Sequence, residues 1–180
     1  LFTCFLVIPI VNYCAQQYGK KATFIYSQSV SLLGYALLWW GFSPENPWMM
    51  FIPLPLFSFG IGGLFTIMMS MTADICDMDE LETGQRREGT FGAIYWWMVK
   101  LGAAVAGIAT GVILSLSGLD QSVQVQSEET LLWLRLSYII IPSVGTLIAI
   151  LVMRTYDLDE QRANEIRAQL DMRRAEKLAS

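Results

Sequence analysis

Lys100 is the only charged residue between positions 89 and 119, a stretch of apolar and small residues long enough to cross a lipid bilayer. On a helix that begins near residue 91, it lies roughly 14 Å from the nearer end of the stretch, close to the middle of the hydrocarbon layer. A charge at that depth costs about 3 kcal/mol or more, so it needs a partner, a water-filled cavity or a function. Snorkelling of the ammonium toward the interface is the alternative. Lys100 is therefore the first candidate for a functional charge.

The helical face of Lys100 indicates what the side chain meets. Ala103, Gly107 and Gly111 follow on the same face, and the two glycines form a GxxxG pattern that lets helices approach closely. We therefore expect this face to meet protein or a cavity and not lipid. Asp74 is the nearest acidic candidate for a partner.

Charged residues of both signs are concentrated between positions 73 and 89, which we interpret as a loop between two membrane spans. In chain order they are Asp74, Asp77, Asp79, Glu80, Glu82, Arg86, Arg87 and Glu88. An EF-hand calcium loop is excluded, because Asp79 stands at its sixth position, where glycine is needed. Paired carboxylates of an enzyme are conceivable, but an ion-pair network that latches helix ends is the better account. The expected pairs join an acid to an arginine or to a basic residue of another loop: Asp74, Asp77 or Glu80 with Arg86 or Arg87.

Histidine is absent from the sequence, which excludes His-based acid–base catalysis, Ser–His and Cys–His nucleophiles and most zinc sites. The cysteines Cys4, Cys14 and Cys76 have no CxxC spacing and indicate neither a disulfide framework nor a metal cluster. The net charge of −4 offers no basic surface to nucleic acid. We therefore expect no catalytic residue, no metal site, no cofactor and no nucleic-acid partner.

The composition is typical of a membrane protein. Of the 180 residues, 54% are hydrophobic and only 16% are charged, whereas an average soluble domain carries roughly a quarter charged residues. The charges avoid five stretches that suit membrane-crossing helices. The sequence therefore predicts an all-α integral membrane protein with spans at about 1–12 (short or truncated), 22–42, 49–72, 91–117 and 132–153.

Lysine and arginine are distributed unevenly between the predicted spans. Ten of them lie in three segments on one side of the membrane, and the opposite side offers only Arg135. The positive-inside rule then places the C-terminal tail in the cytoplasm and Glu45 and Asp120 outside. Leu1 begins within an apolar stretch, so we expect that residues are missing before it.

The composition changes to charged after the fifth span. Residues 162–178 predict a short amphipathic helix that lies on the membrane or on the inner loops. The apolar residues along one of its faces are Ala163, Ile166 and Leu170. We therefore divide the chain into a transmembrane bundle, 1–153, and a cytoplasmic tail, 154–180.

The third predicted span contains residues that interrupt helices, namely Pro53, Pro55, Gly60, Gly62 and Gly63. Such breaks are tolerated in membranes where neighbouring helices or a cavity accommodate the backbone. They either line a path through the protein or reflect plain kinking in a packed bundle.

The charged segment and the helix after it are similar to those of a known family. The resemblance rests on the pattern Ala73-Asp74-x-x-Asp77-x-x-Glu80-x-x-Thr83-Gly84-x-Arg86-Arg87-Glu88-Gly89, followed by Lys100-Leu101-Gly102 in an aromatic-rich helix. This pattern resembles the glycoside–pentoside–hexuronide:cation symporters, the melibiose-permease-like branch of the major facilitator superfamily. The turn Tyr18-Gly19-Lys20-Lys21 also resembles that superfamily's basic turn. Essentially the whole chain aligns with the C-terminal half, from about helix eight to helix twelve of twelve.

The resemblance implies a secondary active transporter, and not an enzyme, that carries a sugar or glycoside with H⁺ or Na⁺. It implies alternating access between two six-helix halves, in a multi-pass protein of the bacterial inner membrane that works as a monomer when full length. The cation site would lie mostly in the missing N-terminal half. The alternatives are a carrier of lipid-like cargo, a receptor or scaffold that does not transport, and a membrane enzyme that uses the acidic segment.

Residue roles follow from the same resemblance. Lys100 would lie near the sugar and cation sites, and Phe65 approximates an aromatic residue that contacts sugar. Trp96 or Trp97 would either stack on a sugar ring or pack in the core. A tyrosine of the family is Met78 here, so its role is not carried over. The predicted cytoplasmic latch, which steadies the outward-facing state, comprises Asp74, Asp77, Glu80, Arg86, Arg87 and Glu88.

Overall fold

The structure is a computed structural model that describes residues 2–42, 47–119, 123, 126–158 and 160–179. These residues form α-helices and one short 3₁₀-helix, and no strand occurs among them, which confirms the all-α fold class. In chain order the helices are α1 (Phe2–Tyr18), α2 (Lys20–Gly41), the 3₁₀-helix (Pro47–Phe51), α3 (Pro53–Thr83), α4 (Glu88–Leu116), α5 (Glu128–Arg154) and α6 (Glu160–Ala179).

Among the described residues, three segments are long and apolar enough to cross a membrane, namely Trp48–Thr83, Glu88–Leu116 and Glu128–Arg154. They correspond to the third, fourth and fifth predicted spans. The first two predicted spans coincide with α1 and α2. α2 is not among the three apolar segments, and it contains the buried polar residues Ser27, Gln28 and Ser31. That α1 and α2 cross the membrane stays a prediction from the sequence.

The acidic segment is helical, which corrects the predicted loop. α3 continues well beyond residue 72, the predicted end of its span, as far as Thr83. The acids recur three residues apart along the helix, and no glycine or proline within the segment ends it earlier. The helix ends at Gly84, whose φ of 71° is left-handed and whose N–H donates to the Glu80 carbonyl. Residues 84–87 alone connect α3 to α4.

α3 is also one continuous helix, where its sequence predicts interruptions. Pro53 begins the helix and Pro55 lies in its first turn, where the missing N–H would have no helical partner in any case. Gly60, Gly62 and Gly63 are buried within the helix. These glycines allow close packing and do not break the helix.

Small residues hold α2 and α3 together. A Cβ on Gly60 would lie 2.4 Å from the Ser31 side chain, and one on Gly63 would lie 2.5 Å from the Ser27 hydroxyl. Both serines are buried. Gln28 Nε2 donates a 2.9 Å hydrogen bond to the Gly60 carbonyl within the same interface. Close approach and an interhelical hydrogen bond are typical of helix packing in membranes.

The apolar core lies between α1, α2 and α3 and reaches the end of α5. Its buried residues are Val7, Val11, Ala15, Phe24, Ile67, Met71 and Met153. α4 differs from the other long helices, because none of its described residues is buried and it contacts α3 and α5 only sparsely. The helix that carries Lys100 is therefore only loosely packed against the rest of the described residues.

The tail helix α6 packs against α3. Ala163, Ile166 and Leu170, the apolar face expected from the sequence, are buried. The sequence leaves open whether this helix lies on the membrane or on the inner ends of the other helices, and the structure places it against α3.

Gly60→Ala is expected to destabilise the protein. The added methyl group would overlap the Ser31 side chain, and overpacking of this kind costs roughly 1–3 kcal/mol. The Tm of the purified full-length protein should fall by several degrees. Gly102→Ala is the matched control, because nothing lies within 4 Å of its added atom, and its Tm should hardly change. Equal Tm values for the two variants would contradict this packing.

Candidate functional site

Asp74 is a buried carboxylate on α3 that two cations from other helices neutralise. Its side chain is only 3% exposed. Lys20 Nζ, at the beginning of α2, donates to Oδ2 at 2.5 Å, and the Arg167 guanidinium, from α6, donates to Oδ1. A buried charge is tolerated when it is paired and hydrogen-bonded, and both conditions hold here. Asp74 therefore joins three helices through one side chain.

Arg86 joins the end of α3 to the beginning of α4. Its guanidinium nitrogens lie 3.1 Å from Asp77 Oδ1, 2.7 Å from Glu80 Oε2 and 2.6 Å from Glu88 Oε1. Hydrogen bonds to Glu88 and Glu80 raise the pKa of Arg86, which stays charged throughout the physiological range. Glu88 lies in the first turn of α4, where a negative charge also complements the helix dipole. Through its ion pairs, Arg86 therefore links the short connection 84–87 to the end of α3 and to the beginning of α4.

Two further arginines bind the last turns of α3. Arg87 Nε donates to Asp79 Oδ2 at 2.8 Å, and this carboxylate raises the pKa of Arg87. Arg174, from α6, lies 2.9 and 3.0 Å from the two oxygens of Glu80. Acidic side chains near the C-terminal end of a helix oppose its dipole, and these cations compensate that cost. The arginines are about half exposed, so each pair contributes little alone.

We call these side chains the α3 charge cluster. Its acids are Asp74, Asp77, Asp79, Glu80 and Glu88, and its cations are Lys20, Arg86, Arg87, Arg167 and Arg174. The structure brings together all six residues of the predicted latch. Among the described residues, no group of three or more His, Cys, Asp or Glu side chains could hold a metal ion. The acids of the cluster are paired with lysine and arginine side chains, so the cluster can hold helices together through ion pairs.

Several members of the cluster are not among the residues predicted from the sequence. Asp79 has no signal beyond its place in the charged segment 73–89, and Lys20 has none beyond its place in the basic turn Tyr18-Gly19-Lys20-Lys21. Arg167 and Arg174 do have one, because they follow Ala163 by four and eleven residues and so share the buried face of α6. An arginine on a buried face needs an acidic partner.

Lys21 binds the end of α5. Its ammonium donates to the carbonyl oxygens of Arg154 and Tyr156 at 2.9 and 2.6 Å, at a helix terminus that leaves carbonyls unpaired. The hydroxyl of Tyr156 is buried and has no hydrogen-bond partner among the described residues. Burial, together with the negative charge of Asp74, raises the pKa of Tyr156 to about 12. The first two residues of α2, Lys20 and Lys21, thus bind α3 and the end of α5.

Lys100 is exposed on α4 and makes no ion pair or hydrogen bond with a described residue. Asp74 is not its partner, which corrects the suggestion from the sequence, because cations of α2 and α6 already neutralise that carboxylate. A Cβ on Gly107 or Gly111 would meet nothing within 4 Å. The described residues therefore do not make the protein contact expected for this face.

The aromatic residues predicted near the substrate are exposed as well. Phe65 lies on α3, and Trp96 and Trp97 lie on α4. At 1.5 Å per residue, Phe65 is roughly 27 Å and Lys100 roughly 18 Å from the ends of their helices at the connection 84–87. The structure therefore does not bring these four residues into one closed site.

A cavity of about 800 Å³ lies between α4 and α5 and is lined mostly by apolar residues. Arg135 is one of its lining residues, and its guanidinium donates to the Phe42 carbonyl and lies 5.5 Å from the centre of the Trp39 ring. This cation–π arrangement joins α5 to the end of α2. No residue of the predicted site lines this cavity.

Residues 1–160 match the family described as MFS/sugar transport protein. A relative named glucuronide carrier protein homolog, from Escherichia coli (strain K12), is 30% identical over 92% of this chain and 36% of its own length. The isoprimeverose transporter of Lactiplantibacillus pentosus is 26% identical over 86% of this chain and 32% of its own length. A putative glycoside/cation symporter of Escherichia coli (strain K12) is 28% identical over 67% of this chain and 26% of its own length. The chain thus spans about a third of the length of the first two relatives, and no solved structure matches it significantly.

Asp74→Asn should loosen α6 from α3. The amide keeps the shape of the carboxylate but leaves Lys20 without a counter-charge and Arg167 with only Asp77 Oδ2, at 3.5 Å from its Nε. Removing one partner of a buried pair is strongly destabilising. Hydrogen–deuterium exchange of the full-length protein should rise about fivefold or more in α6. Asp171→Asn is the control, because this exposed acid of α6 has only a 3.8 Å contact with Arg174. Unchanged exchange in Asp74→Asn would show that Asp74 does not hold α6.

Proposed function

The chain belongs to the MFS/sugar transport protein family, and on that premise we propose that the full-length protein carries a sugar or glycoside together with H⁺ or Na⁺. Membership in the family and the names of the relatives confirm the resemblance to the glycoside–pentoside–hexuronide:cation symporters. The family consists of multi-pass membrane transporters and not of enzymes. The observation that carries the proposal is the match over residues 1–160, because it includes every helix from α1 to α5.

The α3 charge cluster supports the proposed latch. It ties the beginnings of α2 and α4 and the middle of α6 to the C-terminal part of α3, at the predicted cytoplasmic side. A switch needs interactions that differ in strength between two states, and half-exposed ion pairs can exchange their partners for water at a cost of about 1 kcal/mol or less each. In the proposal, the cluster steadies the outward-facing state and rearranges when the protein opens to the cytoplasm.

Lys100 is the proposed link between the ion and the substrate. Its charge lies on the exposed surface of an otherwise uncharged part of α4. Without the coupling ion, the ammonium would pair with the acids of the cation site, which lies mostly outside this chain. Ion binding would occupy those acids and leave the ammonium to donate hydrogen bonds to sugar hydroxyls. Phe65, Trp96 and Trp97 offer exposed aromatic faces for the sugar ring.

The proposed setting is the bacterial inner membrane, with the C-terminus in the cytoplasm and the full-length protein acting as a monomer. The distribution of lysine and arginine supports this orientation, since ten lie on one side and one on the other. No cofactor other than the coupling cation is proposed.

Uptake of labelled glycosides into vesicles that contain the full-length protein tests the function. We expect accumulation above equilibrium under an imposed proton or sodium gradient. Lys100→Ala should lower that accumulation at least about tenfold, because the coupling between ion and substrate is lost. Met98→Ala is the matched control, since Met98 is an exposed residue of the same helix, and it should transport normally.

Two outcomes would contradict parts of this proposal. Ion-dependent accumulation by Lys100→Ala at the normal level would show that the lysine only snorkels. Uptake of a labelled lysophospholipid, together with no uptake of any glycoside, would replace the sugar by a lipid-like cargo.

Cysteine labelling tests the orientation. Glu45 and Asp120, the positions expected outside, lie beyond the described residues, so the exposed residues Val123 and Glu82 are used. In a cysteine-free full-length background, an impermeant maleimide added to intact cells should label Val123→Cys and not Glu82→Cys. Permeabilised cells should show both. Labelling of Glu82→Cys alone in intact cells would reverse the orientation.

A further inference from the structure

The cavity of about 800 Å³ between α4 and α5 has no part in the proposed transport mechanism. Its apolar lining includes Ala106, Ala109 and Leu114 of α4 and Leu131 and Ile141 of α5. From Ala106 to Leu114 the helix rises roughly 12 Å, at 1.5 Å per residue. Cavities of about 300–1,000 Å³ with an apolar lining and a few polar groups are typical of small-molecule sites. The lining therefore suits an elongated apolar group.

Arg135 is the one charged residue that the described part of the chain contributes to this lining. It forms no ion pair with a described acid. One of the five N–H donors of its guanidinium is used on the Phe42 carbonyl. A charge beside apolar side chains is stabilised when an opposite charge pairs with it. The cavity therefore presents a cation that a ligand with one negative charge would neutralise.

The guanidinium of Arg135 is held at one level of the predicted membrane. It donates to the Phe42 carbonyl, and its Cζ lies 5.5 Å from the centre of the Trp39 ring, so the end of α2 fixes it from two sides. Arg135 stands three residues inside the fifth predicted span, 132–153, which is roughly 5 Å from the predicted outer end at 1.5 Å per residue. Polar headgroups meet acyl chains at about this depth. The cation therefore lies where the hydrocarbon layer begins, directly beside the apolar lining.

We propose that this cavity binds a medium-chain fatty acid in its carboxylate form. The carboxylate pairs with the guanidinium of Arg135 through charge-assisted hydrogen bonds, for which the planar guanidinium is well suited. Ser137 and Tyr138 also line the cavity, and their hydroxyls make no hydrogen bond with a described residue. The hydrocarbon chain lies between α4 and α5.

The position of the charge favours a fatty acid over a phospholipid. A fatty acid carries its charge directly at the end of the chain, and the cavity likewise places its cation directly beside the apolar lining. In a phospholipid, the glycerol and ester groups separate the phosphate from the acyl chains and place it farther from the hydrocarbon. Arg135 cannot follow it outward without losing its contacts with Phe42 and Trp39.

Occupancy of the cavity would fasten α4 to α5. These two helices contact each other only sparsely, and none of the described residues of α4 is buried. A chain between them buries apolar surface on both helices, which stabilises their association. The ligand therefore steadies the helix that carries Lys100, although it binds at a distance from that residue.

Photolabelling of the full-length protein in phosphatidylcholine nanodiscs tests the site. The probe is decanoate that carries a diazirine on its chain, and mass spectrometry locates the labelled residues. We expect label within 106–114 and 131–141, and an excess of unmodified decanoate should remove it. Decanol at the same membrane concentration should compete at least about tenfold less well, because it lacks the charge that pairs with Arg135. Hydrogen–deuterium exchange in α4 should fall when decanoate is added.

Variants of the lining separate the role of the charge from that of the space. Arg135→Gln should lower labelling by about tenfold. Ala109→Leu, which fills part of the cavity, should lower it as well. Ala104→Leu is the matched control, because Ala104 is exposed on the same helix and does not line the cavity, and its labelling should not change.

Four outcomes would overturn the proposal. One is labelling outside the cavity alone, which would show that other parts of the full-length protein fill this space. Another is equal competition by decanol. The third is labelling that survives in Arg135→Gln, whose folding is checked by its Tm. The fourth is competition by phosphatidylglycerol as strong as that by decanoate, which would assign the cavity to a phospholipid. Labelling is measured without transport, so the result is independent of the proposed sugar uptake.

Discussion

The burial of one carboxylate sets the arrangement of helices at one end of this protein. Removing Asp74 from water costs several kcal/mol unless cations with good geometry replace the lost hydration. Lys20 and Arg167 supply that replacement from two other helices, so the beginning of α2 and the middle of α6 must lie where they do. Arg86, Arg87 and Arg174 form more exposed ion pairs with other acids of α3, around the position that Asp74 fixes.

Two kinds of contact divide the molecule into a rigid part and an adjustable part. Between α2 and α3, Gly60 and Gly63 pack directly on buried serines, and packed interiors do not deform gradually. At the end of α3, charged groups with half-exposed partners can be replaced by water at small cost. α4 belongs to the adjustable part, because it has no buried residue in the described chain and contacts α3 and α5 only sparsely.

The sequence predicts well what depends on local pattern and poorly what depends on distant partners. Uncharged stretches locate the long helices, and the density of charge around Arg86 indicates an ion-pair network. The density of acidic residues predicts a loop and misses the end of α3 at Thr83, although nothing before Gly84 stops a helix. The glycines of α3 were ambiguous, since their role depends on which residues of α2 they meet. The partners of Asp74 lie 54 and 93 positions away, beyond any local pattern. The surroundings of Lys100 are not predictable from this chain, because no described residue pairs with its side chain.

The separation of Asp74 from its two partners has a consequence for biosynthesis. A ribosome makes Lys20 first, Asp74 next and Arg167 last, after α4 and α5 have been translated. During that interval the nascent carboxylate has one of its two native counter-charges, so α3 and α2 can associate while the second half of the network is still absent. Synthesis of α6 then supplies the remaining guanidinium. A ribosome that stops before Arg167 would release a chain in which helices α1 to α5 are present but Asp74 has only Lys20 of its two native cationic partners.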